Sequence, residues 1–347
     1  MNSLERTLTT INGNIPDRIP TDLHNFLPAT RMAGYDTIEG LQNGEIIAES
    51  HLKAREKFGH DVLLVENGTC AEAEALGCEV RYFEDGPPRV TGNLLEDFAD
   101  WEDLSVPDPT TTFPLNELLK ATEIITDEIG NEAFVMGRGD QGPFALAAAL
   151  IGYEDMIKRA AIAVNRNDEA ALEEIKGLVK FCKEVNDTFA RAQIDAGAHA
   201  TSFGEFGADI LGPNIYKSLI FQFDRDLISG LEDDGITVSL HICGDNTAII
   251  EEMIETGATI LEVDHKPDLE RVREKTEDEA TLLGPVDTEL IAHAPVNRVE
   301  EATKEAVEAL APGGRFIAGP GCALGYETTE ENIAALIDTA KEFGKYS

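Results

Sequence analysis

Basic residues are scarce in this 347-residue chain, which has 28 Lys and Arg against 66 Asp and Glu. A formal net charge of −38 leaves no basic stripe that could neutralise phosphates, which argues against binding to nucleic acid or to an anionic membrane surface. The acidic residues are spread over helical segments such as 167–181 and 330–343. They therefore indicate a solvated acidic surface. Adaptation to a high-salt cytoplasm is a further hypothesis for this excess of acidic residues.

Long apolar runs are also lacking, because none approaches the roughly 20 residues that a membrane-spanning helix needs. The first residues, MNSLERTLTTINGN, contain no basic segment followed by an apolar one, so no secretory signal is predicted. We expect a cytoplasmic protein without a disulfide framework, since its cysteines are odd in number and scattered. They are Cys70, Cys78, Cys182, Cys243 and Cys322.

Short apolar runs alternate with longer segments of helical periodicity along the chain. The predicted strands are residues 18–24, 61–67, 133–140, 200–206, 237–243, 259–265, 281–287 and 315–322. Eight strands that alternate with helices predict an α/β fold, a closed parallel (β/α)8 TIM barrel. Residues 78–115, rich in Pro, Gly and Asp, are predicted to form an insertion with a hairpin or short helices. We expect residues 1–347 to form a single barrel domain with an N-terminal extension.

Nearly every predicted strand ends on a side chain with useful chemistry. The carboxyl ends of the strands of such a barrel surround one mouth, where active sites are built. Candidates to orient a substrate or relay a proton there are Glu66, Asn67, Asp140, Gln141 and Glu205. Each of them could equally cap the helix that follows its strand. His24 could face the mouth or cap the first helix, and we place no prediction on it.

A candidate metal site is formed by residues of two distant strand ends. His241 and Cys243 lie two positions apart, on one face of a strand, and Cys322 follows 79 residues later in GPGCALG. An imidazole and two thiolates with one open position suit catalytic zinc. Asp264, at the end of the next strand, is a plausible fourth ligand, and Glu205 is its competitor. The alternative is a histidine and two cysteines of the core, with no metal.

At these residues the sequence resembles the uroporphyrinogen decarboxylase superfamily, and within it the methyltransferase branch. The matching segments are residues 13–20, 137–150, 192–207 and, most specifically, 240–266 and 319–333. The resemblance implies zinc on the His and Cys of the HxCG motif and on the Cys of the last glycine-rich turn, here His241, Cys243 and Cys322. The family's exchangeable carboxylate ligand corresponds to Asp264.

The branch contains zinc-dependent methylcobamide:coenzyme M methyltransferases and corrinoid-linked demethylating methyltransferases. The resemblance therefore implies transfer of a methyl group between a corrinoid (methylcobalamin) on a partner protein and a thiol or other small methylated substrate. Zinc would activate the thiol as its thiolate, the form that attacks carbon, or polarise the heteroatom of a methylated substrate. Asp264 would yield its place to the substrate. The direction of transfer is open, and a monomer and a homodimer both fit.

Two alternatives remain: a uroporphyrinogen decarboxylase and a non-catalytic zinc- or corrinoid-binding barrel. The decarboxylase is disfavoured because its propionate-binding Arg-Gln-Ala-Gly-Arg segment has no counterpart in residues 23–35, LHNFLPATRMAGY. Cys322 also stands where the decarboxylase has a histidine. A polycarboxylate substrate would need cationic partners, which a chain of net charge −38 is poorly placed to provide.

Overall fold

Eight parallel strands form one sheet in this computed structural model, which describes residues 1–205 and 208–346. Together with the two strands of a separate hairpin, β3 and β4, the strands in chain order are β1 (Asp22–Leu23), β2 (Val62–Val65), β3 (Glu79–Arg81), β4 (Arg89–Thr91), β5 (Phe134–Gln141), β6 (Ala200–Glu205), β7 (Thr237–Ile242), β8 (Ile260–Val263), β9 (Thr281–Val286) and β10 (Phe316–Pro320). Their order in the sheet is β1-β2-β5-β6-β7-β8-β9-β10, and β3 and β4 pair separately as an antiparallel hairpin.

The sheet closes into a barrel where its first and last strands meet. Thr21 forms a parallel bridge with Ala318, and the Ala318 N–H donates to the Pro20 carbonyl at 3.0 Å. The predicted (β/α)8 TIM barrel is confirmed, and each of the eight predicted segments contains a strand or most of one, since only β5 runs past its segment, by one residue. Residue 206, which was predicted to end the fourth strand, lies outside the described residues.

Helices alternate with the strands and cover the outside of the barrel. The α-helices are Ser3–Ile11, Phe26–Ala33, Thr37–Gly40, Gly44–Phe58, Ala71–Ala75, Leu115–Ile129, Pro143–Ile151, Tyr153–Arg166, Glu169–Asp195, Ala208–Leu211, Pro213–Ile215, Phe221–Asp233, Ile250–Glu255, Leu269–Thr276, Thr288–His293, Val296–Leu310 and Glu330–Phe343; a 3₁₀ helix spans Phe98–Asp103 and a π-helix Tyr216–Ile220. Within the described part of the chain, none of these helices is both long and apolar enough to cross a bilayer.

The insertion predicted at residues 78–115 contains both of the expected kinds of element. The hairpin of β3 and β4 comes first, and the 3₁₀ helix follows it. Trp101 of that helix stacks on Phe181 of the long helix Glu169–Asp195, with ring centroids 5.7 Å apart. The insertion is therefore packed against the outer helices. The single-domain organisation of residues 1–347 stays a prediction.

Two layers of different polarity fill the barrel interior. The layer near the amino ends of the strands is apolar and includes Leu64, Phe134, Met136 and Ile317. Because side chains two residues apart on a strand share a face, the next inward positions toward the mouth lie above this layer. These positions carry polar and charged side chains, all of them buried: Asp22, Arg138, Ser202, Ser239, His241 and Glu262. The chain has thus placed ionisable groups directly beneath the mouth.

Candidate metal centre at the barrel mouth

The structure brings together the three side chains that the sequence offered as metal ligands. His241 lies near the end of β7, Cys243 follows that strand, and Cys322 follows β10. His241 Nε2 lies 2.8 Å from Cys243 Sγ, and the sulfurs of Cys243 and Cys322 are 3.7 Å apart. One ligand atom from each residue lies within 4.8 Å of the other two. A single ion can therefore reach an imidazole and two sulfurs.

Glycine residues beside both cysteines allow this close approach. A Cβ at Gly321 would stand 3.2 Å from backbone atoms of Asp264 and His265, so the chain before Cys322 passes directly against the end of β8. The Gly321 N–H donates to the Val286 carbonyl at 2.7 Å and fixes that turn. Gly244, after Cys243, has φ 86°, a backbone conformation that favours glycine.

Electrostatics favour one thiolate in the group. A hydrogen bond from Cys243 lowers the pKa of Cys322 far below its usual range, against the effect of burial, and His241 adds to the lowering. Donating that bond raises the pKa of Cys243. Burial would lower the pKa of His241, but its contact with Cys322 raises it. The pair of sulfurs is thus prepared to carry negative charge, as a metal ligand must.

Asp264 lies beside this group and is held by other bonds. Its Oδ2 accepts the Gly244 N–H at 2.8 Å, and its Oδ1 accepts the His265 N–H at 2.6 Å. His265 Nδ1 is 2.7 Å from the same Oδ1. Among residues 1–205 and 208–346, the cluster of close donor atoms comprises only the histidine and two cysteines. A role for Asp264 as an exchangeable fourth ligand or catalytic group stays a prediction, and it requires release of these bonds.

Glu205 caps a helix. Its buried carboxylate accepts the Phe144 N–H at 3.1 Å, in the first turn of the helix Pro143–Ile151. A Cβ at Gly142 would come within 2.5 Å of Glu205 Oε2, so the helix start lies directly on the carboxylate. The alternative foreseen for Glu205 was a cap on the helix after its own strand, β6, whereas the helix that it caps follows β5. Catalysis or metal binding by Glu205 stays a prediction.

The two candidates after β2 bind other parts of the mouth. Glu66 Oε2 lies 2.7 Å from Nε2 of His24, and both side chains are buried. The side-chain amide of Asn67 donates to the Leu41 carbonyl at 3.0 Å and so anchors the loop after the short helix Thr37–Gly40. His24 therefore faces the mouth, and sequence reasoning left it aside.

The two candidates at the end of β5 differ in their surroundings. Asp140 has φ 62°, and its Oδ2 accepts the Glu72 N–H at 3.0 Å at the start of the helix Ala71–Ala75. Burial raises the pKa of Asp140 to about 7. Gln141 is partly exposed, and its backbone carbonyl accepts the side-chain amide of Asn186 at 2.8 Å. Substrate binding by either residue stays a prediction.

A buried charge network beneath the metal ligands was missed by sequence reasoning. Glu262 pairs with His241 in register across β8 and β7, with Oε2 3.8 Å from His241 Nδ1. Its other oxygen accepts hydrogen bonds from Ser202 at 2.6 Å and Ser239 at 2.7 Å. Arg138 donates to Ser202 at 2.8 Å and lies 3.9 Å from Glu262. The network holds the carboxylate against the back of the histidine ring.

The charges of this network compensate one another. Burial would raise the pKa of Glu262, but Arg138 and His241 lower it. Burial would likewise lower the pKa of His24, but Glu66 raises it to about 9. Burial raises the pKa of Asp22 to about 8. The sequence did contain a signal for these residues, because side chains two positions apart on a strand share a face. Glu262 precedes the candidate Asp264 by two positions, and Arg138 precedes the candidate Asp140 by two.

Residues 2–343 match the uroporphyrinogen decarboxylase (URO-D) family. The chain belongs to the uroporphyrinogen decarboxylase family. The family predicted from the motifs of β7, β8 and β10 is thereby confirmed.

Relatives within the uroporphyrinogen decarboxylase family carry two kinds of name. The chain is 24% identical over 337 residues to methylcobamide:CoM methyltransferase MtbA of Methanosarcina acetivorans, covering 91% of this chain and 93% of the relative. It is 24% identical over 349 residues to methylcobamide:CoM methyltransferase MtaA of Methanosarcina barkeri, covering 97% of each. A uroporphyrinogen decarboxylase of Thioalkalivibrio sulfidiphilus is 26% identical over 327 residues, covering 92% of this chain and 91% of that one.

A solved methyltransferase from Methanosarcina mazei shares the fold of this family member. The two superpose with a TM-score of 0.87 at 23% identity, over 99% of each chain. This likeness agrees with the barrel described above. Since identity near 25% spans both methyltransferases and decarboxylases, the choice between these activities depends on the residues of the mouth.

Proposed function

We propose that this member of the uroporphyrinogen decarboxylase family is a corrinoid-dependent methyltransferase with a zinc-activated thiol or heteroatom substrate. The observation that carries the proposal is the convergence of His241, Cys243 and Cys322 at the barrel mouth, with their donor atoms within 4.8 Å. The methyltransferase names of the relatives from Methanosarcina support it.

The donor set fits zinc. Two sulfurs and an imidazole are ligands that Zn²⁺ prefers, and three protein ligands leave one position open, as catalytic zinc sites do. Zinc bound there would hold a thiol as its thiolate, the form that attacks carbon. Two anionic sulfur ligands keep such a complex electron-rich, which favours alkyl transfer to sulfur over hydrolysis.

The surrounding residues orient the ligands and leave them accessible. Glu262, fixed by two serines, lies on the Nδ1 side of His241 and leaves Nε2 for the metal. Asp264 holds the Gly244 N–H and thereby the turn that carries Cys243. Cys243 is exposed and Cys322 is partly exposed, so a small substrate and a corrinoid can approach the site from solvent.

The mouth is poorly suited to a polycarboxylate such as uroporphyrinogen. Two buried cations of the mouth, Arg138 and His24, lie beside Glu262 and Glu66 respectively. Each is therefore compensated and not available to bind propionates. This observation favours the methyltransferase over the decarboxylase, even though both names occur among the relatives.

We further propose a separate corrinoid protein as the methyl carrier, a small thiol or methylated compound as the second substrate, and a cytoplasmic location. These proposals follow from the chemistry of the site and from the names of the relatives. Whether the chain is a monomer or a homodimer stays a prediction.

The test is a methyl-transfer assay with a panel of small thiols and methylcobalamin. Zinc-loaded wild-type protein should consume methylcobalamin, while Cys322→Ala should lose both zinc and activity. Cys182→Ala is the matched control, because that thiol is fully buried away from the site. Uroporphyrinogen turnover that is equal in the wild type and Cys322→Ala would overturn the proposal in favour of a decarboxylase.

A non-catalytic barrel is distinguished by the response of the bound metal to substrate. X-ray absorption at the zinc edge should show a further sulfur ligand when a substrate thiol is added. A zinc environment that stays the same with every thiol tested, together with no methyl transfer, would indicate a structural site.

A further inference from the structure

Two of the five cysteines are arranged differently from the rest. The sulfurs of Cys243 and Cys322 are 3.7 Å apart and reach solvent. Cys70, Cys78 and Cys182 are buried, and Cys70 Sγ donates to the Pro88 carbonyl at 3.3 Å. An oxidant that enters the barrel mouth therefore meets one neighbouring pair of thiols, with the other cysteines shielded.

The two cysteine side chains can adapt to a covalent bond. Both cysteines lie just beyond the ends of their strands, outside regular structure, and each has a glycine neighbour, Gly244 or Gly321. A disulfide needs its sulfurs at about 2.05 Å, so they must approach each other by somewhat under 2 Å. A change of rotamer at the two cysteine side chains can provide such a movement without displacing β7 or β10, while the bonds of the Gly244 and Gly321 N–H groups stay in place.

We infer that Cys243 and Cys322 form a reversible disulfide that closes the site under oxidising conditions. The thiolate of Cys322 attacks a peroxide oxygen, which cleaves the O–O bond and gives a sulfenic acid and one water or alcohol. The sulfur of Cys243 then attacks the sulfenic sulfur, and a second water leaves with the thiol proton. Two thiols have been oxidised and one peroxide reduced, and a dithiol reductant reverses the change.

The disulfide would remove both sulfur ligands at once. His241 alone cannot hold zinc, so oxidation would release the metal and stop the chemistry of the site. This consequence rests on the proposed function, whereas formation of the bond depends only on the two thiols.

The experiment treats the full chain, zinc-loaded and metal-free in parallel, with increasing hydrogen peroxide. We expect the free thiols, counted after denaturation, to fall from five to three, and the mass to fall by two hydrogens. Peptide mapping should join Cys243 to Cys322. The zinc-loaded sample should release one zinc per disulfide to a metal-sensitive dye, and dithiothreitol should restore all five thiols.

Two variants give the controls. Cys243→Ser should prevent the loss of a thiol pair and leave an oxygenated Cys322, while Cys182→Ala should form the same bridge as the wild type. An oxygenated Cys322 in the wild type, or a bridge to a buried cysteine, would overturn the inference. A mapped bridge in a protein that neither retains zinc nor transfers methyl groups would support the disulfide and contradict the proposed function, so the two failures are distinguishable.

Discussion

Replacement of Glu262 by Gln tests the link between the buried network and the metal ligands. The amide has nearly the same shape, and its carbonyl can still accept the bonds from Ser202 and Ser239. It removes the negative charge, however, and places an NH₂ group toward Arg138 and His241, which are both donors. The substitution therefore changes charge with little change in packing.

The expected cost is large because the site is buried. Glu262 is 4% exposed and Arg138 3% exposed, and removal of one partner of a buried ion pair typically costs about 3–5 kcal/mol. The 3.9 Å separation of this pair is wide, so we expect the lower end, about 3 kcal/mol of unfolding free energy. Loss of a carboxylate behind a metal-binding histidine should also weaken zinc binding about 10–100-fold.

Urea unfolding of the metal-free protein measures the first effect, and competition with a zinc chelator measures the second. Glu123→Gln is the matched control, since Glu123 is exposed on the outer helix Leu115–Ile129. Ser239→Ala should cost less, about 1–2 kcal/mol, because the charge pair is retained. If Glu262→Gln matches Glu123→Gln in both measurements, the network neither stabilises the barrel interior nor supports His241.

Three further outcomes are expected. Burial lowers the pKa of His51 to about 4 and of His60 to about 3; since the unfolded chain takes up these protons below about pH 6.5, each should reduce stability by about 2 kcal/mol at pH 5. Denaturation at stepped pH should therefore show a loss of unfolding free energy on acidification that is smaller in His60→Gln than in the wild type. Equal slopes of unfolding free energy against pH in the two proteins would contradict this prediction. Potassium chloride should raise the melting temperature by screening a net charge of −38, and a melting temperature that is constant up to molar salt would remove the high-salt hypothesis. Cys322→Ala should fold and yet lose stoichiometric zinc in metal analysis, because one imidazole and one sulfur remain; retention of a full equivalent would exclude this ligand set.

The barrel and its ligand cluster were accessible from sequence for a simple reason. Alternation of apolar runs with amphipathic helices predicts parallel strands, and the topology alone then brings the strand ends together. His241, Cys243 and Cys322 could be grouped because their types point to one metal. The other polar residues at the strand ends do not share a preference for one ligand, so their partners could not be assigned from sequence.

The remaining mouth residues show where the sequence leaves a choice open. A carboxylate at the end of a strand can face the mouth or cap the next helix, and both need the same residue at the same place. Glu205 and Asp140 cap helices that follow other strands, β5 and β2 respectively, while Glu66 faces His24. Arg138 and Glu262 were missed because a charge within a strand is expected at the surface, and only the closed barrel shows that these two compensate each other inside.

The bridge between Thr21 and Ala318 also bears on the order in which the molecule can be assembled. Cys322 follows the strand that makes this bridge, and β8 and β9 separate that strand from β7. During synthesis, a ribosome-bound chain that ends before β10 carries only two of the three donors. Tight binding of the metal would then begin only after β10 has closed the barrel. Metal uptake would therefore report barrel closure, the last step of folding.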